Sequence, residues 1–150
     1  MEARVQQEDF DLGIEVAKIR GRFSGIGAIA SFVGFVRDFS EGRKVSGMML
    51  EHYPGMAEIA LHAILDEARE KWGILDATIV HRVGRLAVSE QIVLVLAASP
   101  HRMEAFKAVE FIIDLLKTQA PFWKKETTTE GDQWVEAKSS DGLAASRWVE

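Results

Sequence analysis

The sequence predicts an α+β fold with a largely antiparallel sheet and flanking helices. Apolar segments of strand length come in adjacent pairs along the chain, and helical periodicity falls between the pairs rather than after every strand. Hydrophobic residues make up 47% of the chain and charged residues 27%, which is the balance of an ordinary globular protein. No repeat or Pro/Ser-rich linker divides the sequence, so we expect a single domain over residues 1–150.

The N-terminal part is predicted to form a short strand near Val5, a helix and a buried strand. The helix is indicated by apolar residues at helical spacing: Leu12, Val16 and Ile19. Residues 26–36 are too short and too rich in β-branched and aromatic residues for a helix, so we assign them to a strand. Gly27 and Gly34 in this strand indicate bulges or close approach of another backbone.

A loop, a second strand and a long helix follow. Residues 37–44 are polar and are predicted to form a loop, and residues 45–53 form the second strand. Residues 56–72 carry apolar side chains at helical spacing, and Gly73 supplies the end of that helix.

Two more strands, over residues 76–83 and 91–98, precede the last long helix. The second of them is apolar enough to be central in a sheet. Ser99 suits the N-cap and Pro100 the first helical position of a helix that runs to about Thr118. Its predicted buried stripe consists of Met103, Phe106, Val109, Ile113 and Leu116. The opposite side is predicted to carry Lys107, Glu110, Asp114 and Lys117.

Composition excludes several classes of function. The chain contains no cysteine, so disulfides, thiolate metal sites and cysteine nucleophiles are excluded, and any sulfur that it handles must arrive on another molecule. The net charge of −5 argues against a general nucleic-acid binder. No apolar run approaches the ~18 residues of a membrane span, and no signal peptide is apparent, so we expect a cytoplasmic protein that does not bind membranes.

The first candidate site is the start of the last long helix, at His101 and Arg102. Cationic side chains are unfavourable at a helix N-terminus, where the dipole is positive, unless an anion binds the free N–H groups there. The alternative is that both side chains extend into water or that Arg102 pairs with Glu104.

The second candidate site lies where that helix ends and the next strand begins. After Pro121, residues 122–128 and 133–137 are predicted to form a hairpin. Alternation along its first strand places three side chains on one side: Phe122, Lys124 and Glu126. Lys117 and Lys124 can then converge at the helix-to-strand corner, where neighbouring ammonium groups make a lysine easier to deprotonate. A helix-terminal lysine beside a solvated lysine pair is the alternative.

A third candidate is Arg37, which directly follows an apolar strand and can donate hydrogen bonds to a phosphate from two of its nitrogens. The alternative is an ordinary surface arginine, which is common. His52, His62 and His81 have no metal-ligand spacing, so we interpret them as structural or surface residues. We expect neither a metal site nor a cofactor.

Five segments, taken together and in order, resemble one known family. They are residues 50–56, 81–84, 101–102, 116–126 and 130–136. The order of these segments is similar to that of the large, catalytic subunit of molybdopterin synthase, and the resemblance runs from about residue 26 to the C-terminus.

The resemblance implies an α/β hammerhead-type fold and a homodimer within a heterotetramer. The partner would be a small ubiquitin-like sulfur-carrier subunit whose C-terminal Gly-Gly thiocarboxylate reaches into a pocket. There, cyclic pyranopterin monophosphate would receive two sulfurs and become molybdopterin. The absence of cysteine agrees with a sulfur donor that needs no thiol on the enzyme.

The resemblance also implies roles for individual residues. Lys117 would be the catalytic lysine, acting by proton transfer or through a covalent adduct, and Lys124 the second essential cation. The substrate-binding residues would be Phe35, Val36, Arg37, His101, Arg102, Lys125 and Glu126. Lys138 stands where the family pattern suggests an arginine. The positive charge is kept, but the flat guanidinium group that can donate two parallel hydrogen bonds is not.

Two other functions use the same cations. A phospho-ester hydrolase or transferase is one, although no metal-ligand cluster or activated Ser or Cys accompanies the cations. The other is a small-molecule sensor in which His101 and Arg102 hold an anionic effector. A carrier subunit that ends in Gly-Gly should bind to a synthase subunit and not to a sensor.

Overall fold

The computed structural model describes residues 1–135 and 139–149, in which nine strands form a four-stranded and a five-stranded sheet and four helices are present, with helices packed on the four-stranded sheet. In chain order the elements are β1 (Glu2–Gln6), α1 (Leu12–Arg22), β2 (Ala28–Phe35), β3 (Phe39–Ser40), β4 (Arg43–His52), α2 (Met56–Trp72), β5 (Asp76–Arg82), β6 (Gly84–Ala87), β7 (Gln91–Ser99), α3 (Arg102–Gln119), β8 (Phe122–Thr128), β9 (Gly131–Val135) and α4 (Ser139–Ser146). No helix in these described residues is long and apolar enough to cross a membrane.

The four-stranded sheet has the strand order β1-β5-β7-β2, and only its β1–β5 pair is parallel. Strand alternation divides its apolar side chains between two cores. Ile79 and Val95 pack with helices α2 and α3 on one face. Val80 and Leu94 pack on the other face against α1, where Ile19 is fully buried. Burying a side chain of that size contributes roughly 1.5–3 kcal/mol.

The five-stranded sheet has the order β3-β4-β8-β9, with β6 also paired to β4, and all its pairs are antiparallel. Met48 and Leu50 on β4 pack with Val36 and Leu86 in a third apolar cluster. The predicted α+β class and the largely antiparallel pairing are therefore confirmed.

Most of the predicted elements are confirmed, because spacing and glycines in the sequence marked them clearly. Helix α2 spans the predicted residues, and Gly73 ends it in the left-handed conformation at φ 59°, with its N–H donating to the carbonyl of Arg69. The expected close approach at Gly27 is also present, because a Cβ there would lie 2.0 Å from the carbonyl oxygen of Pro100. A register shift interrupts the β2–β7 pairing between Gly34 and Phe35, as the glycine indicated.

The predicted start of the last long helix is wrong. Helix α3 begins at Arg102, and its N-cap is His101 without a side-chain capping bond. Ser99 is instead the last residue of β7 and pairs with Ala28 of β2. Sheet pairing keeps the Ser99 backbone extended, so it does not serve as the cap.

The predicted buried stripe of this helix is wrong at its start. Met103 and Phe106 are 67% and 65% exposed, while Val109 and Leu116 are buried as expected. The buried face consists of Ala105, Ala108, Val109, Phe111, Ile112, Leu115 and Leu116. The two alanines allow the first half of α3 to approach the sheet closely, so small residues rather than large ones define the buried side there.

Two short strands were not predicted. The expected loop over residues 37–44 contains β3, which pairs with β4 through a tight turn at Glu41 and Gly42, where φ is 50° and 78°. Strand β6 pairs with β4 in the five-stranded sheet. The predicted hairpin is present as β8 and β9, although β9 begins at Gly131, and the predicted end at residue 137 lies outside the described residues.

Candidate active site

A pocket of about 600 Å³ lies between the two sheets, beside the C-terminal end of α3. Side chains from both sheets, from α3 and from α4 line it, so the site exists only when the complete fold has formed. Its floor is largely apolar, and Phe32, Leu50 and Ile92 contribute to it. Its polar side chains come from separate elements that converge on the same space.

Lys117 and Lys124 both line this pocket, so the two lysines converge as the sequence predicts. Lys117 lies in the last turn of α3, where a cation complements the helix dipole. Lys124 lies on β8, which pairs with both β4 and β9. Within residues 1–135 and 139–149, the ammonium group of Lys117 makes no hydrogen bond or ion pair, so it is available to a ligand.

Three more of the predicted residues line the pocket: Phe35, Arg37 and Glu126. Phe35 is 52% exposed at the end of β2, next to the register shift, and Arg37 is exposed just beyond it. Glu126 is buried on the same side of β8 as Lys124. The pocket therefore brings together cationic and carboxylate side chains above an apolar floor.

Val36 and Lys125 lie elsewhere than expected. Val36 is 2% exposed and packs in the apolar cluster with Met48 and Leu50, because alternation turns it away from its two neighbours. Lys125 projects from the opposite face of β8, where its Nζ lies 4.8 Å from the centre of the Trp134 ring. Neither side chain lines the pocket of its own chain.

His101 and Arg102 lie at the opposite end of α3 from Lys117. The helix has 18 residues, so at ~1.5 Å per residue its ends are about 25 Å apart. Both side chains are exposed. A single chain therefore does not bring the two predicted basic clusters together.

His81 is a pocket residue that the sequence interpretation missed. It is 5% exposed, lines the pocket, and stacks on Phe122 with ring centres 3.9 Å apart and an interplanar angle of 10°. Burial, which is the largest cause, and the positive charges of Lys117 and Lys124 together lower the pKa of His81 to about 4. Side chains alternate along a strand, so His81 is expected on the same face of β5 as Ile79. Only the packing of β8 shows that this face borders a pocket.

Asp141 is a second pocket residue that was missed, and it comes from α4. The residues that follow α4 hold the C-terminal segment against α3. Arg147 donates to Glu110 and Asp114, each at 2.7 Å, and the indole N–H of Trp148 donates to Asp114 at 2.7 Å. Lys138 lies outside the described residues, so its expected role has no structural counterpart here.

No group of three or more His, Cys, Asp or Glu side chains suited to a metal ion occurs in the described part of the chain. The cations of the pocket can instead bind an anion directly. Arginine and lysine side chains above apolar and aromatic residues suit a flat ligand that carries a phosphate.

Comparison with known proteins shows extensive similarity. A family model described as MoaE protein matches residues 5–119. The molybdopterin synthase catalytic subunit of Ralstonia nicotianae is 56% identical over 145 residues, which cover 97% of this chain and 82% of the relative. The subunit of the same name from Pseudomonas aeruginosa is 55% identical over 150 residues and covers 100% of both chains.

Solved structures show the same fold. The molybdopterin biosynthesis MoaE protein from Burkholderia ambifaria has a TM-score of 0.86 at 53% identity and covers 99% of each chain. A more distant structure, described as a complex of subunits 1 and 2 of molybdopterin-converting factor from Helicobacter pylori, has a TM-score of 0.73. At 18% identity over 91% of this chain and 92% of that one, it shares the fold.

Proposed function

The chain belongs to the MoaE protein family, and from that membership we propose how its pocket takes part in molybdopterin synthesis. It is an enzyme that catalyses sulfur transfer in the formation of molybdopterin, a step of molybdenum cofactor biosynthesis. This membership favours the synthase over the hydrolase and sensor alternatives. The finer proposal concerns the pocket's two ligands, the roles of its lysines and a second copy of the chain.

The first ligand in this proposal is cyclic pyranopterin monophosphate. Its phosphate would bind among Arg37, Lys117 and Lys124, which are the three cationic side chains that line the pocket in the described residues. Its flat ring system would lie on the apolar floor near Phe35. A pocket of about 600 Å³ has the volume of a typical small-molecule site.

The second ligand is the C-terminal Gly-Gly thiocarboxylate of a small ubiquitin-like carrier. The chain has no cysteine, so the sulfur must arrive on another molecule, and a thiocarboxylate donor needs no thiol on the enzyme. Glycines have no side chains, so the end of the carrier is slim enough to reach a residue on the pocket wall. The Helicobacter pylori relative is described as a complex of two subunits, which supports a partner of this kind.

Lys117 acts at the carrier's C-terminal carbonyl in this mechanism, by proton transfer or through a transient covalent adduct. Sulfur attack on the precursor and opening of its cyclic phosphate develop negative charge. Preorganised cations stabilise such charge most effectively in a site that excludes water. Lys124 and Arg37 provide this stabilisation from two different elements.

His101 and Arg102 would enter the pocket of a second copy of the chain. They lie about 23 Å along α3 from their own Lys117, so only another subunit can place them beside the substrate phosphate. Met103 and Phe106 are exposed next to them, and a second copy would cover this apolar surface. We therefore propose a homodimer with one carrier at each pocket, and a cytoplasmic location remains a prediction.

The observation that carries this proposal is that Lys117 and Lys124 meet in one pocket. The test is reconstitution of the dimer with thiocarboxylated carrier and cyclic pyranopterin monophosphate, with molybdopterin as the measured product. Lys117→Ala should fold and bind the carrier but lose at least about 100-fold in turnover, the size of a lost proton-transfer or nucleophilic role.

Lys107→Ala is the matched control, because this lysine lies on the same helix but does not line the pocket. The control should turn over at nearly the rate of the unmodified enzyme. Near-normal turnover by Lys117→Ala would remove Lys117 from the catalytic role.

A further inference from the structure

His81 is a buried polar residue in the pocket for which the reaction proposed above supplies no role. It lies at the end of β5 and pairs with Val5 of β1 and Val93 of β7. Its side chain lies at the border between the two sheets, where it lines the same pocket as Lys117 and Lys124.

Two contacts hold the imidazole ring in one orientation. Its face stacks on Phe122 at 3.9 Å. Its Nδ1 lies 2.8 Å from the backbone oxygen of Arg82. A carbonyl oxygen can only accept a hydrogen bond, so Nδ1 carries the proton and Nε2, on the far side of the ring, keeps its lone pair.

The surroundings of His81 keep this ring neutral. Burial is the largest influence on its pKa; together with the charges of Lys117, His52 and Lys124 it lowers this pKa to about 4, against the raising effect of the hydrogen bond to the Arg82 carbonyl. The charged side chains that share its pocket also include Arg37, Glu126 and Asp141. At neutral pH the ring is therefore an uncharged hydrogen-bond acceptor.

Lys117 is a donor that needs such an acceptor. Its charge acts on His81 more strongly than that of His52 or Lys124, and in the described residues its ammonium group has no hydrogen bond of its own. A lysine side chain is long and flexible, so an unheld ammonium spends little time in a reactive geometry. A carboxylate partner would hold it but would cancel the charge that attracts the substrate phosphate.

We propose that His81 is a positioning residue, whose Nε2 accepts a hydrogen bond from the Lys117 ammonium when the pocket is occupied and so holds it at the carrier's C-terminal carbonyl. A neutral acceptor orients the lysine without reducing the positive charge of the pocket. Hydrogen bonds of this kind commonly form only in the occupied site. This inference rests on the function proposed for Lys117.

The test uses three substitutions at His81 in the reconstituted dimer with carrier. His81→Phe keeps the stacking on Phe122, and His81→Asn keeps a donor for the Arg82 carbonyl, but both lack an acceptor at the position of Nε2. Each should lower kcat by about 100-fold, as misplacement of a catalytic group does, with KM for the carrier nearly unchanged. His81→Gln restores an acceptor near Nε2 and should recover about tenfold of this loss.

His52→Phe is the matched control, because His52 is the other imidazole near Phe122, with ring centres 6.3 Å apart, and it does not line the pocket. This control should keep the kcat of the unmodified enzyme.

A spectroscopic measurement separates positioning from a structural role. The ¹H–¹⁵N signal of a lysine ammonium is visible only when a hydrogen bond slows its exchange with water. With carrier bound, the Lys117 signal should be present in the unmodified enzyme and in His52→Phe, and absent in His81→Phe and His81→Asn.

Normal kcat in His81→Phe and His81→Asn, or a Lys117 signal that persists in both, would overturn the inference while the proposed function stands. If the unmodified enzyme makes no molybdopterin, the proposed function fails, and the Lys117 signal still decides whether His81 holds this lysine.

Discussion

At the scale of single residues, two adjacent lysines show how strand geometry assigns function. Lys124 lines the pocket, whereas Lys125 lies over Trp134 on the opposite face of β8. The two side chains have the same chemistry and differ only in the direction that the alternating backbone gives them. A resemblance to a family implies that both lysines bind the substrate, but only Lys124 lines the pocket of its own chain.

Substitution of each lysine by alanine should therefore have different effects. Lys124→Ala should lower turnover by about 100-fold, because a preorganised cation is lost from the site of developing charge. Lys125→Ala should keep turnover within about threefold and lose about 0.5–1 kcal/mol of stability with its cation–π contact. Turnover with thiocarboxylated carrier and unfolding in urea measure the two effects, and equal losses of turnover would contradict the assignment.

At the scale of elements, the C-terminal segment completes the pocket from outside the two sheets. Asp141 of α4 lines the pocket, and the residues just beyond this helix fasten it to the core. Trp148 packs edge-on against Trp72 and Phe111, with ring centres 5.3 and 5.6 Å away. Contacts of this kind contribute about 0.5–1.5 kcal/mol each beyond the buried area.

Trp148→Ala should release this segment without unfolding the sheets. We expect a loss of about 2 kcal/mol, roughly 6 °C in Tm for a chain of this length. KM for the precursor should rise, because one wall of the pocket is no longer held. Trp123→Ala, at an exposed tryptophan on the outer face of β8, is the control and should change Tm little. Thermal unfolding and steady-state kinetics measure both variants, and an unchanged KM in Trp148→Ala would argue against a role for α4 in the site.

At the scale of the whole molecule, α3 separates two basic clusters that the proposed reaction needs together. Lys117 lies near one end of this helix and Arg102 at the other. In the proposed symmetric dimer, the same interface would supply Arg102 of each copy to the pocket of the other. A pocket built in this way is complete only in the assembly.

Mixed dimers test this arrangement. Lys117→Ala and Arg102→Ala homodimers should each be nearly inactive, but dissociating and reassociating them together should restore about a quarter of the pockets, because half the dimers are mixed and one pocket in each is unaltered. Molybdopterin formation measures the recovery. No recovery in a mixture shown by mass to contain mixed dimers would contradict the shared pocket.

Several features of this protein were determined by the sequence alone, because the signals that specify them are local. Apolar spacing and Gly73 set the extent of α2, and alternation along β8 set the directions of Lys124 and Lys125. The absence of cysteine also required that the sulfur come from another molecule.

Only the tertiary structure decided which of these surfaces meet. Strands β3 and β6 are too short to show a period and exist because β4 pairs with them. Ala105 and Ala108 face the core because small side chains allow α3 to approach the sheet. His81 became a pocket residue because Phe122, far away in the sequence, stacks on it. Such contacts join distant segments of the chain, so no local pattern in the sequence specifies them.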